Sequence, residues 1–88
     1  MHFYEVRNKK QDLILKKIGL DFYKQRQLKK MSRTQVAIHL NTDEKQIRRI
    51  EGGELNFTIL TFLKLCYVLE IDPSVLANIK LTENILND

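Results

Sequence analysis

The chain has 88 residues, of which 43% are hydrophobic and 30% are charged, and its formal net charge is +4. This length allows one small domain, and no apolar run reaches the roughly 18 residues that a membrane-spanning helix needs. The N-terminus lacks the apolar block of a signal peptide, and a single cysteine cannot form an internal disulfide. We therefore expect a small cytoplasmic protein that does not associate with membranes.

The charges are unevenly distributed along the chain. Residues 1–30 hold nine Lys or Arg against three Asp or Glu, whereas residues 54–88 hold two against five. A basic N-terminal half can contact the phosphates of a nucleic acid. The alternative interpretation is an ordinary solvated surface whose charge happens to be uneven.

The first 30 residues divide into an extension and a helix. Residues 1–11 are mixed aromatic and basic and are interpreted as an N-terminal extension. From Asp12 onwards, apolar residues recur mostly at spacings of three and four, which predicts a helix that ends near Lys30. An interruption of this helix near Gly19 is left open.

Residues 32–53 are the most informative stretch and predict two short helices around a tight turn. Ser32 followed three residues later by Gln35 is a capping box for the first helix. Ala37 is small enough to lie where two helices cross closely. Asn41 follows at the turn and is one of the few residues other than Gly that accept a left-handed backbone.

The second helix of this stretch has one apolar and one charged face. Asp43 is its predicted cap, with Gln46 three residues on, and Gly52-Gly53 follow where a left-handed residue is wanted. Ile47 and Ile50 share one side, and the cations point roughly the opposite way, at Lys45, Arg48 and Arg49. Two capped helices around such a turn form a helix-turn-helix.

The C-terminal third holds more apolar residues than a five-helix domain of this size can hide. A helix is predicted from about residue 59, with a core stripe made of Ile59, Phe62, Leu63, Cys66 and Leu69. A short segment follows Pro73. The apolar residues proposed to contact a second subunit are Leu76, Ile79, Leu81, Ile85 and Leu86, with Leu60 and Val68.

The motifs of enzymes and metal sites are missing from the sequence. His2 and His39 belong to no metal-ligand pattern, and Cys66 is predicted to be a small core residue. Gly52-Gly53 follows a helix instead of preceding one, so it is not a phosphate-binding loop. We expect no enzymatic activity, no cofactor and no metal.

The residues above resemble the helix-turn-helix proteins of the phage repressor/Cro family, the XRE-like transcriptional regulators. The resemblance covers about residues 18–77 and implies an all-α, lambda-repressor-like DNA-binding domain, a compact bundle of about five helices. It divides the chain into an extension (1–11), the DNA-binding domain (12–79) and a tail (80–88). The positions that match in register are Ile18-Gly19, Phe22, Arg26, Arg33, Val36-Ala37, Leu40, Ile47, Ile50-Glu51 and Gly53.

The resemblance implies that residues 43–51 enter the major groove of double-stranded DNA. Lys45 and Arg49 are the candidates to read guanine, since Arg and Lys donate to its O6 and N7. Arg33, where the family usually has Gln, is a candidate phosphate contact with more charge than Gln. The full candidate DNA-binding set is Arg33, Thr34, Gln35, Asp43, Glu44, Lys45, Gln46, Arg48 and Arg49.

Three further expectations follow from the resemblance. Arg26 and Glu51 should form an ion pair inside the domain. The protein should be a homodimer that reads a two-fold symmetric operator, either through its tail or with the tail folded back over its own core. The leading function is a transcriptional regulator, most simply a repressor, and the alternative is a protein-interaction module or an antitoxin-like protein that binds a partner.

Overall fold

The computed structural model describes residues 7–86, without the side chains of residues 75–77. This part of the chain forms four α-helices and two 3₁₀ segments. The helices are α1 (Lys9–Leu28), α2 (Arg33–Leu40), α3 (Glu44–Glu51) and α4 (Ile59–Leu69), and the 3₁₀ segments are Pro73–Asn78 and Glu83–Ile85. None of these helices is long and apolar enough to cross a membrane.

The predicted all-α fold class is confirmed, with a correction to the number of helices. Where a fifth helix was expected, Pro73–Asn78 winds as a six-residue 3₁₀ segment. So short a segment gains few i→i−4 bonds to offset the cost of helix nucleation, whereas 3₁₀ geometry closes its first bond one residue earlier.

Helix α1 begins earlier than predicted and runs without a break through Gly19. Its start is a capping box, in which the backbone N–H of Gln11 donates to Asn8 Oδ1 (2.8 Å) and the N–H of Asn8 donates to Gln11 Oε1 (3.0 Å). Part of the predicted extension therefore belongs to the first helix, and its residues 1–6, with His2, lie outside the described residues. Gly19 does not interrupt the helix because its role is one of packing.

The local signals of the helix-turn-helix are confirmed. The N–H of Gln35 donates to Ser32 Oγ (3.0 Å), and the N–H of Ser32 donates to Gln35 Oε1 (2.7 Å). Asn41 ends α2 in the left-handed conformation, with φ of 56°. Asp43 Oδ1 accepts from the N–H of Gln46 (2.8 Å) at the start of α3.

The core lies between α1, the helix-turn-helix and α4. Its fully buried apolar residues are Phe22, Val36, Ala37, Ile47, Ile50, Phe62, Leu65, Cys66 and Leu69. The rings of Phe22 and Phe62 pack with their centroids 5.8 Å apart. Burial raises the pKa of the Cys66 thiol above its ordinary value, as expected of a core cysteine.

The predicted core stripe of α4 was partly wrong. Leu65 is buried, but Ile59 and Leu63 are 63% and 43% exposed. The buried arc is therefore rotated along the helix from the one predicted, because apolar residues on every side of α4 left its inward face ambiguous.

The described part of the tail lies against α1 of its own chain. The side-chain amide of Asn8 donates to the carbonyl of Asn84, and that of Gln11 donates to the carbonyl of Ile85 (2.5 Å). Ile85 is half-buried there, whereas Leu81 stays exposed. Of the predicted contact residues, Leu76 lies outside the described side chains.

Candidate nucleic-acid interface

The outer face of α3 carries the predicted cations. Ile47 and Ile50 are buried on the inner side. On the outer side Glu44, Lys45 and Arg48 are exposed, while Gln46 and Arg49 are half-buried. Because the two isoleucines hold the helix against the core, this polar arc has a fixed orientation.

The start of α2 lies beside the start of α3. Thr34, Gln35 and Asp43 are exposed, and Arg33 is half-buried. Arg33 Nη1 and Arg48 Nε each lie 4.0 Å from Glu44 Oε1. The structure thus brings one anion and two of the predicted phosphate-contacting cations into one exposed group.

A buried ion pair fixes the end of α3 to α1. Arg26 Nε donates to Glu51 Oε2 (2.6 Å), and Arg26 Nη2 donates to Glu51 Oε1 (3.1 Å). The two side chains are only 7% and 4% exposed. The hydrogen bond from Glu51 raises the pKa of Arg26 above its already high ordinary value, so the guanidinium stays charged.

Arg33 joins this pair as a third member, which sequence reasoning missed. Its Nε donates to Glu51 Oε1 at 3.0 Å, so one buried carboxylate binds two guanidinium groups. The replacement of the family's usual Gln by Arg was the available signal, but it was interpreted only as a contact with DNA. The structure shows that Arg33 also connects the start of α2 to the end of α3.

Two glycines allow α1 to lie directly on the end of α3, a feature that the sequence did not reveal. A Cβ at Gly19 would lie 2.3 Å from the carbonyl oxygen of Ile50. Gly53, with φ of 73°, faces Lys16, whose Cγ would be 2.6 Å from an added Cβ. The position of the candidate DNA-reading helix therefore depends on close backbone contact with α1.

Metal and ligand chemistry find no further support here. Among residues 7–86, no group of three or more His, Cys, Asp or Glu side chains is placed to hold a metal ion. His39 is exposed, as predicted for a surface residue.

Two capped helices joined at a left-handed residue, with the second held against the first helix of the domain, define a helix-turn-helix fold. The structure is similar to the restriction-modification controller protein C.AhdI from Aeromonas hydrophila, with a TM-score of 0.66 and 27% sequence identity over 72% of this chain and 91% of that chain. This similarity confirms the resemblance to XRE-type helix-turn-helix regulators and supports a DNA-binding regulator at the level of the fold. No protein-family model and no curated protein matches the sequence.

Proposed function

We propose that the chain is a sequence-specific regulator of transcription, most simply a repressor, that binds double-stranded DNA by inserting α3 into the major groove. The observation that carries the proposal is the exposed polar arc of α3, whose inner face is locked into the core by Ile47 and Ile50. Such an arrangement presents a rigid cationic helix to a negatively charged groove.

The residues of this surface have distinct proposed roles. Lys45 and Arg49 read guanine, and Gln46 reads adenine through its amide. Arg48 contacts phosphate. Glu44 accepts from cytosine N4, and its charge also favours the start of α3 through the helix dipole.

Arg33 has a double role in the proposed complex. Its Nε is held by Glu51 at 3.0 Å, which leaves its terminal nitrogens, on the side of Glu44, to face a phosphate. A guanidinium that is already oriented loses less conformational entropy when it binds.

Substitution of Arg49 tests the reading of bases. On a preferred duplex, Arg49→Ala should weaken binding by about 1–3 kcal/mol, or roughly 5- to 150-fold, and relax the preference at one base pair. Arg48→Ala is the matched control on the same helix, and it should weaken binding to all sequences about equally. Titration of the preferred duplex and of single-base variants would measure both effects, and an equal loss on every sequence would make Arg49 a phosphate contact instead.

We also propose that the protein binds DNA as a homodimer. A single recognition helix reads only a few base pairs, and two copies related by two-fold symmetry place their helices about 34 Å apart, one turn of DNA. The acidic C-terminal third of the chain suits a surface that faces the second subunit and not the DNA.

The second candidate function is a protein-interaction module or antitoxin-like protein with the same fold. It is favoured by the exposed apolar side chains of α4, among them Tyr67, which is 86% exposed. A gel shift with random duplex at low and moderate salt separates the two functions. A regulator should bind at low salt and lose affinity as salt rises, whereas a module that has lost DNA binding should not shift the duplex.

A further inference from the structure

Helix α4 is apolar on both of its faces, although only one of them is buried. The inner face contributes Phe62, Leu65, Cys66 and Leu69 to the core. The outer face is formed by Leu60, Leu63 and Tyr67, which are 64%, 43% and 86% exposed. These three residues follow one another at helical spacing, and Lys64 is the only charged residue in α4. A helix that is hydrophobic all round is normally covered all round.

The outer face has the shape of a ridge between two hollows. Leu63, Tyr67 and Val68 line both of them. One hollow has a volume of about 780 Å³ and extends to Met31 and Ile71. The other has a volume of about 460 Å³ and extends to Leu40 and Leu60. A ridge flanked by hollows is suited to packing against a surface of the same shape.

We propose that this outer face of α4 docks against the same face of a second copy of the chain. The inference rests on the proposed function, which requires two copies, and it assigns their contact to α4 instead of the tail. The tail is already held in its own chain by Asn8 and Gln11. Tyr67 supplies a large aromatic anchor of the kind enriched at the centre of protein interfaces.

The charges near the face are complementary under two-fold symmetry. If two α4 helices cross antiparallel at Tyr67, Lys64 lies three residues on one side of the crossing and Glu70 lies three residues on the other. Lys64 then faces the partner's Glu70, and the reverse pair forms by symmetry. The Glu70 side chain is 75% exposed even though it pairs with Lys29 at 2.7 Å, so it remains accessible to this second cation.

Sedimentation of three full-length proteins at micromolar concentrations tests the assignment. Tyr67→Lys should raise the dissociation constant of the dimer about tenfold or more, because it places a charge at the centre of the contact. Leu81→Lys is the matched control, since it makes the same charge change at a side chain that is 69% exposed in the tail. It should dimerise like the unchanged protein. Circular dichroism should show that all three are folded.

The possible outcomes are distinct. A monomer in the Leu81→Lys protein together with a dimer in the Tyr67→Lys protein would place the contact in the tail and overturn the proposal. Dimers in both would assign the contact to another surface, and a monomeric unchanged protein would mean that α4 receives a different partner; each result also overturns it. Binding of the unchanged and Tyr67→Lys proteins to a half-site duplex is measured separately. Loss of that binding in both would refute the proposed function without affecting the conclusion on the dimer.

Discussion

Replacing Glu51 with Gln should lower the free energy of unfolding by about 3–5 kcal/mol, the cost of removing one partner from a buried ion pair. The substitution leaves Arg26, whose side chain is 7% exposed, without its counter-charge. It also sets an amide N–H₂ group against guanidinium donors, because the carboxylate accepts from both Arg26 and Arg33. A domain of this size loses roughly 4–8 °C per kcal/mol, so the melting temperature should fall by about 12 °C or more.

Thermal unfolding followed by circular dichroism measures this effect. The matched control is Asp21→Asn, which removes the carboxylate of an exposed pair with Lys17 at 3.2 Å. Because exposed i,i+4 pairs contribute only about 0.3–0.5 kcal/mol, the control should melt close to the unchanged protein. Equal melting temperatures for Glu51→Gln and the control would show that the buried pair does not hold α3 to α1.

Gly19→Ala should destabilise the fold by about 1–3 kcal/mol or more, although Ala is the better helix former by about 1 kcal/mol. The added methyl would lie 2.3 Å from the carbonyl oxygen of Ile50 and 2.6 Å from that of Glu51. Both atoms belong to the backbone, so α1 and α3 must separate to accommodate it. That movement also disturbs the buried ion pair at the end of α3.

Gly52→Ala is the control for Gly19→Ala. Its added methyl would meet only the flexible end of the Glu54 side chain, at 3.0 Å, and its φ of −81° suits any residue. It should leave stability unchanged or raise it by about 0.4–1 kcal/mol by restricting the unfolded chain. Urea unfolding of both proteins gives the comparison, and a stability of Gly19→Ala equal to or above that of Gly52→Ala would contradict the close approach of the two helices.

The features that the sequence predicted well are those decided within a few residues. The cap at Ser32, the left-handed Asn41 and the cap at Asp43 each depend on local hydrogen bonds or backbone preference. The buried isoleucines of α3 follow from helical spacing. The pairing of Arg26 with Glu51 came from the family resemblance and not from the spacing of the residues.

The features that the sequence did not predict depend on contacts between distant segments. The bond from Arg33 to Glu51 joins residues that are 18 positions apart, and the space available at Gly19 is set by the backbone of α3. The inward face of α4 was misjudged because its apolar residues surround the helix. In each case the deciding atoms belong to another element, which periodicity and capping signals do not describe.

Selection of bound duplexes from a random DNA library tests the central claim most directly. The account predicts that the unchanged protein enriches a defined sequence with two half-sites related by two-fold symmetry, about 10 base pairs apart from centre to centre. Binding to the enriched duplex should weaken steeply with rising salt, since phosphate contacts release counterions. A protein that enriches no sequence, and that binds no duplex even at low salt, would contradict the claim that α3 reads DNA.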